Sequence, residues 1–197
     1  RSAAQNKPLL SFNPQEPIEW QSSARKKLSE LVGYQDQLIR AEAKNLWWAE
    51  DKHAIFEKIQ ISDGDGRVFP VYKCYPKGVK PPYRWVICLQ GHSSGMHNSI
   101  GVDFDAEEFV TESIGGRDFA NWCIKNGYAA LCIEQMSLGE RNEKRLERTS
   151  PHPCHDAAMH ALILGKTLMA ERMRDVQIGL EFLRQSEPSG LATVGIM

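Results

Sequence analysis

Two unbroken apolar runs, "WVICL" at 85–89 and "YAALCI" at 128–133, constrain this chain more than any other feature. Neither alternates with polar residues and both are shorter than a typical helix, so each reads as a strand covered on both faces. Such strands lie inside a sheet flanked by helices. A third short run, "LATVGIM" at 191–197, has the same character. Between the first two lies "GRDFANWCIKNG", predicted as a helix with Phe119, Trp122 and Cys123 on one side and Asn126-Gly127 as its stop. Between the last two lies "HDAAMHALILGKTLMAERMRDVQIGLEFLRQSEPSG", with Gly165 at a break and Met169, Met173, Val176, Leu180 and Leu183 predicted on one buried helical face. Asp175, within that helix, reads as structural.

Upstream the period changes. "AIFEKIQISDGDGRVFPVYKCYP" alternates on both sides of Asp63-Gly64-Asp65-Gly66, which predicts a hairpin. In "SSARKKLSELVG", Ser22 or Ser23 caps a predicted helix with Ala24, Leu28, Leu31 and Val32 on one face and Gly33 as its stop. A second helix is predicted from about Gln35 to Trp48, with Trp47 and Trp48 as packing residues rather than a ligand platform. Residues 1–20 read as an arm. The expected architecture is therefore α/β: a mostly parallel central sheet with helices on both faces and an antiparallel hairpin at the start. Residues 1–50 would form the arm and helices, and 51–197 the sheet-bearing part.

Composition narrows the partners. With 24 basic and 25 acidic residues the charge is balanced, which argues against nucleic acid. The longest apolar runs fall far short of the roughly 20 residues that span a bilayer, so no membrane partner is expected. Five cysteines without regular spacing read as core thiols rather than a disulfide framework. That leans towards a reducing, cytoplasmic setting and leaves the compartment open.

In a sheet of this kind chemistry gathers outside the carboxyl ends of the strands, and there the first run delivers "QGHSSGMHNSIG". Gly91 permits a sharp turn, after which the amides of His92 and Ser93 can face a crevice and hold an oxyanion. The segment matches neither G-x-G-x-x-G nor G-x-x-x-x-G-K-[ST], and the DGDG turn lacks the further ligands of a calcium loop. "HPCHDAAMH" gathers His152, Cys154, His155, Asp156 and His160. His155 and His160 would stand about 140° apart on a helix, and only Asp156 and His160 share a face, so a capping aspartate and a surface histidine are preferred to zinc. No metal or cofactor is expected. "GERNEKRLER" reads as a solvated loop.

Taken in order, the hairpin, the strand ending "LQGHSSG", the segment "GRDFANWCIKNGYAALCIEQMSLGER" and the helix "RMRDVQIGLEFL" leading to "ATVGIM" resemble the first half of an α/β-hydrolase. More narrowly they are similar to the dienelactone-hydrolase-like and acetyl-xylan-esterase-like branch. There one strand ends in His-Gly-His or His-Gly-Tyr, and a later one in Gly-Arg or Gly-Glu-Arg after an acidic residue. Here Gln90 stands in place of the first histidine, Gly91 and His92 match the next two positions, and Gly139, Glu140 and Arg141 match the second motif, over about residues 50–197.

The resemblance implies a serine nucleophile on a G-x-S-x-G elbow after a fifth strand, followed by an acid and a histidine. "ATVGIM" would be that strand, so nucleophile, acid and base are expected outside this chain, which alone would be an inactive fragment. Ser93, Ser94 and Ser99 lack the elbow context. By carry-over the His92 backbone amide is half of an oxyanion hole, Gly91 and Ser93 shape the turn, and Gly139, Glu140 and Arg141 shape the crevice, with Glu140 and Arg141 as an ion pair. The implied substrate is a small-molecule or carbohydrate ester, and the implied partner is the remainder of the same domain. Alternatives are a non-catalytic interaction module and a doubly wound nucleotide or flavin domain.

Overall fold

In the computed structural model, which describes residues 9–35, 40–92, 95–103, 113–142, 153–187 and 189–197, the two apolar runs become β4 (Arg84–Cys88) and β5 (Ala129–Ile133). They pair in parallel with Cys88 opposite Cys132, and every residue of β5 is buried. The third run gives β6 (Thr193–Ile196), parallel to β4 on its other side. Its ladder continues past the strand, since Met197 donates its N–H to the Ile87 carbonyl and accepts from the Leu89 N–H, both at 3.0 Å. The predicted hairpin is β2 (Ala54–Ser62) and β3 (Val68–Pro76). Its turn is pinned by the Asp63 carboxylate, which accepts from the amides of Asp65 and Arg67, as short polar side chains do in turns.

The sheet is mixed, not mostly parallel. Its six strands run β1-β2-β3-β5-β4-β6, with antiparallel pairing from β1 through β5 and parallel pairing only across β5, β4 and β6. One source of the difference is the hairpin, which docks β3 antiparallel on β5. The other is β1 (Glu42–Glu50), where a helix was expected. Alanine, glutamate, lysine and leucine favour a helix in isolation, but here pairing from Glu42↔Ser62 to Glu50↔Ile55 decides the conformation. The adjacent tryptophans consequently face opposite ways. Trp47 packs against Tyr72, with ring centroids 5.6 Å apart, whereas Trp48 is 64% exposed. A boundary at residue 50 therefore cuts off a strand that belongs to the sheet.

The helices cover both faces. α1 (Pro17–Val32) starts earlier than the Ser22 or Ser23 cap, with Pro17 in its first turn, and ends at Gly33 as expected; it buries no residue. α3 (Phe119–Lys125) buries Ala120, Cys123 and Ile124, while Trp122 is exposed rather than on the buried side. α4 (Pro153–Ile163) and α5 (Leu168–Ser186) are separate helices flanking Gly165.

The buried face of α5 is Ala170, Asp175, Ile178, Gly179, Phe182 and Leu183; of the predicted stripe Leu183 is buried and Val176 and Leu180 pack against the core, whereas Met169 and Met173 are exposed. An aspartate takes a core position there. Phe182 and Leu183 pack with Ile59, Ile87 and Leu131 on one sheet face, and Cys123 and Ile124 of α3 pack with Phe56, Tyr72 and Cys132 on the other. Cys74, Cys88, Cys123 and Cys132 are buried free thiols, as expected, whereas Cys154 lies only half-buried at the start of α4. Among the described residues no helix is long and apolar enough to cross a membrane.

Candidate active site

The candidate residues lie at the carboxyl ends of β4 and β5, beside the end of β6. Past β4, Gln90 is buried and donates through Nε2 to the Ser99 hydroxyl at 2.9 Å and to the Arg117 carbonyl at 2.7 Å. Gln90 thus ties the strand tip to α2 (His97–Ile100) and to the segment before α3. Gly91 and His92 follow, both exposed. Gly91 does not occupy the left-handed region, and a Cβ there would meet nothing within 4 Å, so the turn opens onto space without needing glycine. Among the described residues no acceptor takes up the His92 N–H. Ser93 lies outside the described residues.

Past β5, Glu134 is fully buried. One carboxyl oxygen accepts from the Met96 N–H and the other from the Glu140 N–H, each at 3.2 Å. A single side chain therefore joins the loop after β4 to the loop after β5. The approach is so close that a Cβ on Gly95 or on Gly139, both at positive φ, would lie 2.1 Å from a Glu134 oxygen. Burial pushes Glu134 up to about 8 against the two backbone bonds, which favour the charged form.

Because the folded state holds this proton, Glu134 supports the fold fully below about pH 4.5 and withdraws that support as pH rises through about 8. A carboxyl-carbon NMR titration of selectively labelled protein is expected to place its midpoint near 8. An ordinary carboxylate midpoint would contradict this environment.

The Gly139–Arg141 turn sends its two charges in different directions, so the expected Glu140–Arg141 ion pair does not form. Glu140 accepts from His97 Nε2 at 2.7 Å and from the Lys58 ammonium at 2.9 Å. Burial raises the Glu140 pKa, but these two partners outweigh it and hold the carboxyl below the usual range. The other ring nitrogen of His97 meets the Tyr72 hydroxyl at 3.0 Å. Arg141 instead reaches the Asp175 carboxylate at 2.6 Å and the Glu134 carbonyl at 2.9 Å, with its guanidinium over the Phe69 ring. Asp175 also binds Arg67 at 2.9 Å and the Met136 N–H at 3.0 Å, which makes it structural, as the sequence suggested.

Among the described residues, His97, Glu134 and Glu140 form the one group whose ligand atoms lie within 4.8 Å of one another. They do not fit a metal. Lys58 already bonds the Glu140 oxygen that His97 also uses, and both Glu134 oxygens are held by amides. The "HPCHDAAMH" stretch is dispersed. His155 pairs with Asp156 at the surface, His160 is exposed, Cys154 turns towards His92 and Arg172, and His152 lies outside the described residues. A polar cleft of about 730 Å³ adjoins the loop after β5, lined by Met136 and Arg141 together with Arg67, Lys166, Glu171 and Arg174, and the last four neutralise one another or Asp63 and Asp175.

Sequence reading missed Glu134, His97 and Lys58, and weighed Cys154 only within the "HPCHDAAMH" cluster. Glu134 was signalled as the first acidic residue after a wholly apolar strand, and Lys58 by its place between Phe56 and Gln60 on the inward face of β2. His97 gave no comparable cue.

These features define a class: an α/β sheet whose parallel half carries the candidate residues at its carboxyl end. Neither a family model nor a curated relative matches the chain. Solved structures do. A protein of Bacteroides fragilis NCTC 9343, provisionally designated an acetyl xylan esterase, superposes with a TM-score of 0.78 at 15% identity, covering 98% of this chain and 51% of its own. The acetyl xylan esterase from Paenibacillus sp. R4 gives 0.52 at 17% identity, with 97% and 53% covered. A glucuronoyl esterase from Solibacter usitatus gives 0.52 at 12% identity, with 97% and 56% covered. The chain therefore has the α/β fold of these esterases and spans about half the length of each.

Proposed function

We propose that the chain is the amino-terminal part of a serine-dependent carboxylic-ester hydrolase in which the His92 amide supplies half of the oxyanion hole. The observation that carries this reading is the β4–β6 pairing. The ladder through Met197 and Leu89 brings the end of β6 beside the turn that bears His92, so a nucleophile borne just after Met197 would be near an amide donor. The nucleophile, its base and the acid are assigned to sequence outside these residues.

Acyl transfer would build negative charge on the carbonyl oxygen, and each amide aimed at that oxygen lowers the barrier by about 3 kcal/mol. Gln90, Glu134 and their backbone partners serve to hold that turn still. The expected substrate is a small-molecule or carbohydrate ester, in keeping with the esterases that share the fold.

The test is a fluorophosphonate probe applied to the full-length protein, with labelled peptides mapped by mass spectrometry. The expected adduct is a single serine in a G-x-S-x-G context outside residues 1–197. An adduct on Ser99, or hydrolysis of acetyl esters that the probe leaves untouched, contradicts the reading. Retained binding of an ester without turnover would favour a non-catalytic module.

A further inference from the structure

Cys154 has surroundings unlike those of the other cysteines. Its Sγ lies 2.9 Å from His92 Nε2 and 2.9 Å from Arg172 Nη2. The three residues come from the turn after β4, from α4 and from α5, so the tertiary fold assembles them rather than local sequence. Arg172 is itself anchored, its Nε donating to the Met136 carbonyl at 3.0 Å. A guanidinium can only donate, so the sulfur accepts there and its S–H is left to point at His92, in the tautomer that carries its proton on Nδ1. A base on the thiol proton and a cation beside the sulfur together make the arrangement that activates a thiol nucleophile. His92 is exposed and Cys154 half-buried, so small solutes reach the pair.

The remaining thiols lack all of this. Cys74, Cys88, Cys123 and Cys132 are buried. Burial, with a bond to Cys74, pushes the Cys132 thiol far up, and a bond to Cys88 together with burial does the same to Cys123.

We propose that Cys154 is a covalent modification site, a thiol set for two-electron oxidation by hydroperoxides with His92 as its proton acceptor and Arg172 as its charge partner. The sulfur attacks the terminal peroxide oxygen and the O–O bond breaks. The thiol proton passes by way of His92 Nε2 to the departing alkoxide or hydroxide. Sulfur gives up two electrons and becomes the sulfenic acid, while the peroxide is reduced to an alcohol or to water. A thiol reductant reverses the change. If the reading under Proposed function holds, oxidation displaces the imidazole of the residue whose amide is the oxyanion donor and lowers ester hydrolysis; the thiol chemistry itself does not depend on that reading.

The experiment treats the full-length protein with hydrogen peroxide in the presence of dimedone, which traps sulfenic acid, and maps adducts by peptide mass spectrometry over time. Cys154 is expected to label at least about tenfold faster than any other cysteine, and His92→Ala or Arg172→Gln to slow it by about tenfold or more. In urea all five cysteines should label at similar rates, which attributes the preference to the fold. Equal labelling of the cysteines in the native protein, or rates unmoved by both substitutions, overturns the proposal. Peroxide labelling without any esterase activity would overturn only the hydrolase reading, and esterase activity with an inert Cys154 only this one.

Discussion

Asp175→Ala is expected to destabilise the protein by about 3–5 kcal/mol, the range for removing one partner from a buried ionic group. Asp175 has no exposed surface, and the Arg67 and Arg141 side chains that flank it are 16% and 13% exposed. Without the carboxylate, Arg141 would lose its carboxylate partner and keep only the Glu134 carbonyl, Arg67 would keep only Glu171, and the Met136 N–H would lose its acceptor. The Lys27–Glu30 pair on α1 is a useful contrast. Both its side chains are about half exposed, so solvent screens the pair and breaking it should leave stability nearly unchanged. Urea denaturation of the two variants beside the parent checks both expectations, and a loss below about 1 kcal/mol for Asp175→Ala would contradict the burial account.

Gly95→Ala is expected to damage both the fold and the candidate site. The residue has φ of 67°, which costs an L-residue about 1–2 kcal/mol, and its new Cβ would sit 2.1 Å from a carboxyl oxygen of Glu134. Relieving that overlap adds about 1–3 kcal/mol. It also requires the Glu134 carboxyl to leave the Met96 N–H, and with it the tie between the two loops. In the proposed hydrolase, a shift of about 1 Å at the oxyanion donor lowers kcat on the order of a hundredfold.

Gly91→Ala, four residues towards β4, places its Cβ in open space at an unstrained φ and should change stability by no more than about 0.5 kcal/mol. Thermal denaturation and ester-hydrolysis rates of the two full-length variants separate the cases. Equal behaviour would mean that Glu134 does not organise the loops.

The parts of the fold legible in the sequence are those in which one face decides the conformation. Val86 to Cys88 and Ala129 to Ile133 announce themselves because a strand covered on both sides leaves no polar position, and the Asp63 to Gly66 turn because its residue types suit few other structures. What could not be read depended on partners distant along the chain. Glu42 to Glu50 has a helical composition and becomes a strand only because the outer edge of β2 is available to pair. Asp175 is charged, and so sits badly in any prediction of an apolar face, yet Arg67 and Arg141 draw it into the core.

The candidate site divides along the same line. His92 and Gly139 to Arg141 were nominated by motif order. The carboxyl of Glu134, which holds their two loops together, and the thiol of Cys154 acquire meaning only when β4, β5, α4 and α5 are brought side by side. The expected Glu140–Arg141 pair failed for a related reason: each side chain found a better-buried partner, His97 with Lys58 on one side and Asp175 on the other.

The most direct measurement is a crystal structure of the full-length protein after reaction with a phosphonate ester. The account predicts a phosphonylated serine immediately after the β6 strand, with the phosphoryl oxygen about 3 Å from the His92 backbone nitrogen. A phosphonyl group on any residue remote from the end of β6, or an oxygen bound by donors that exclude the His92 amide, would contradict it.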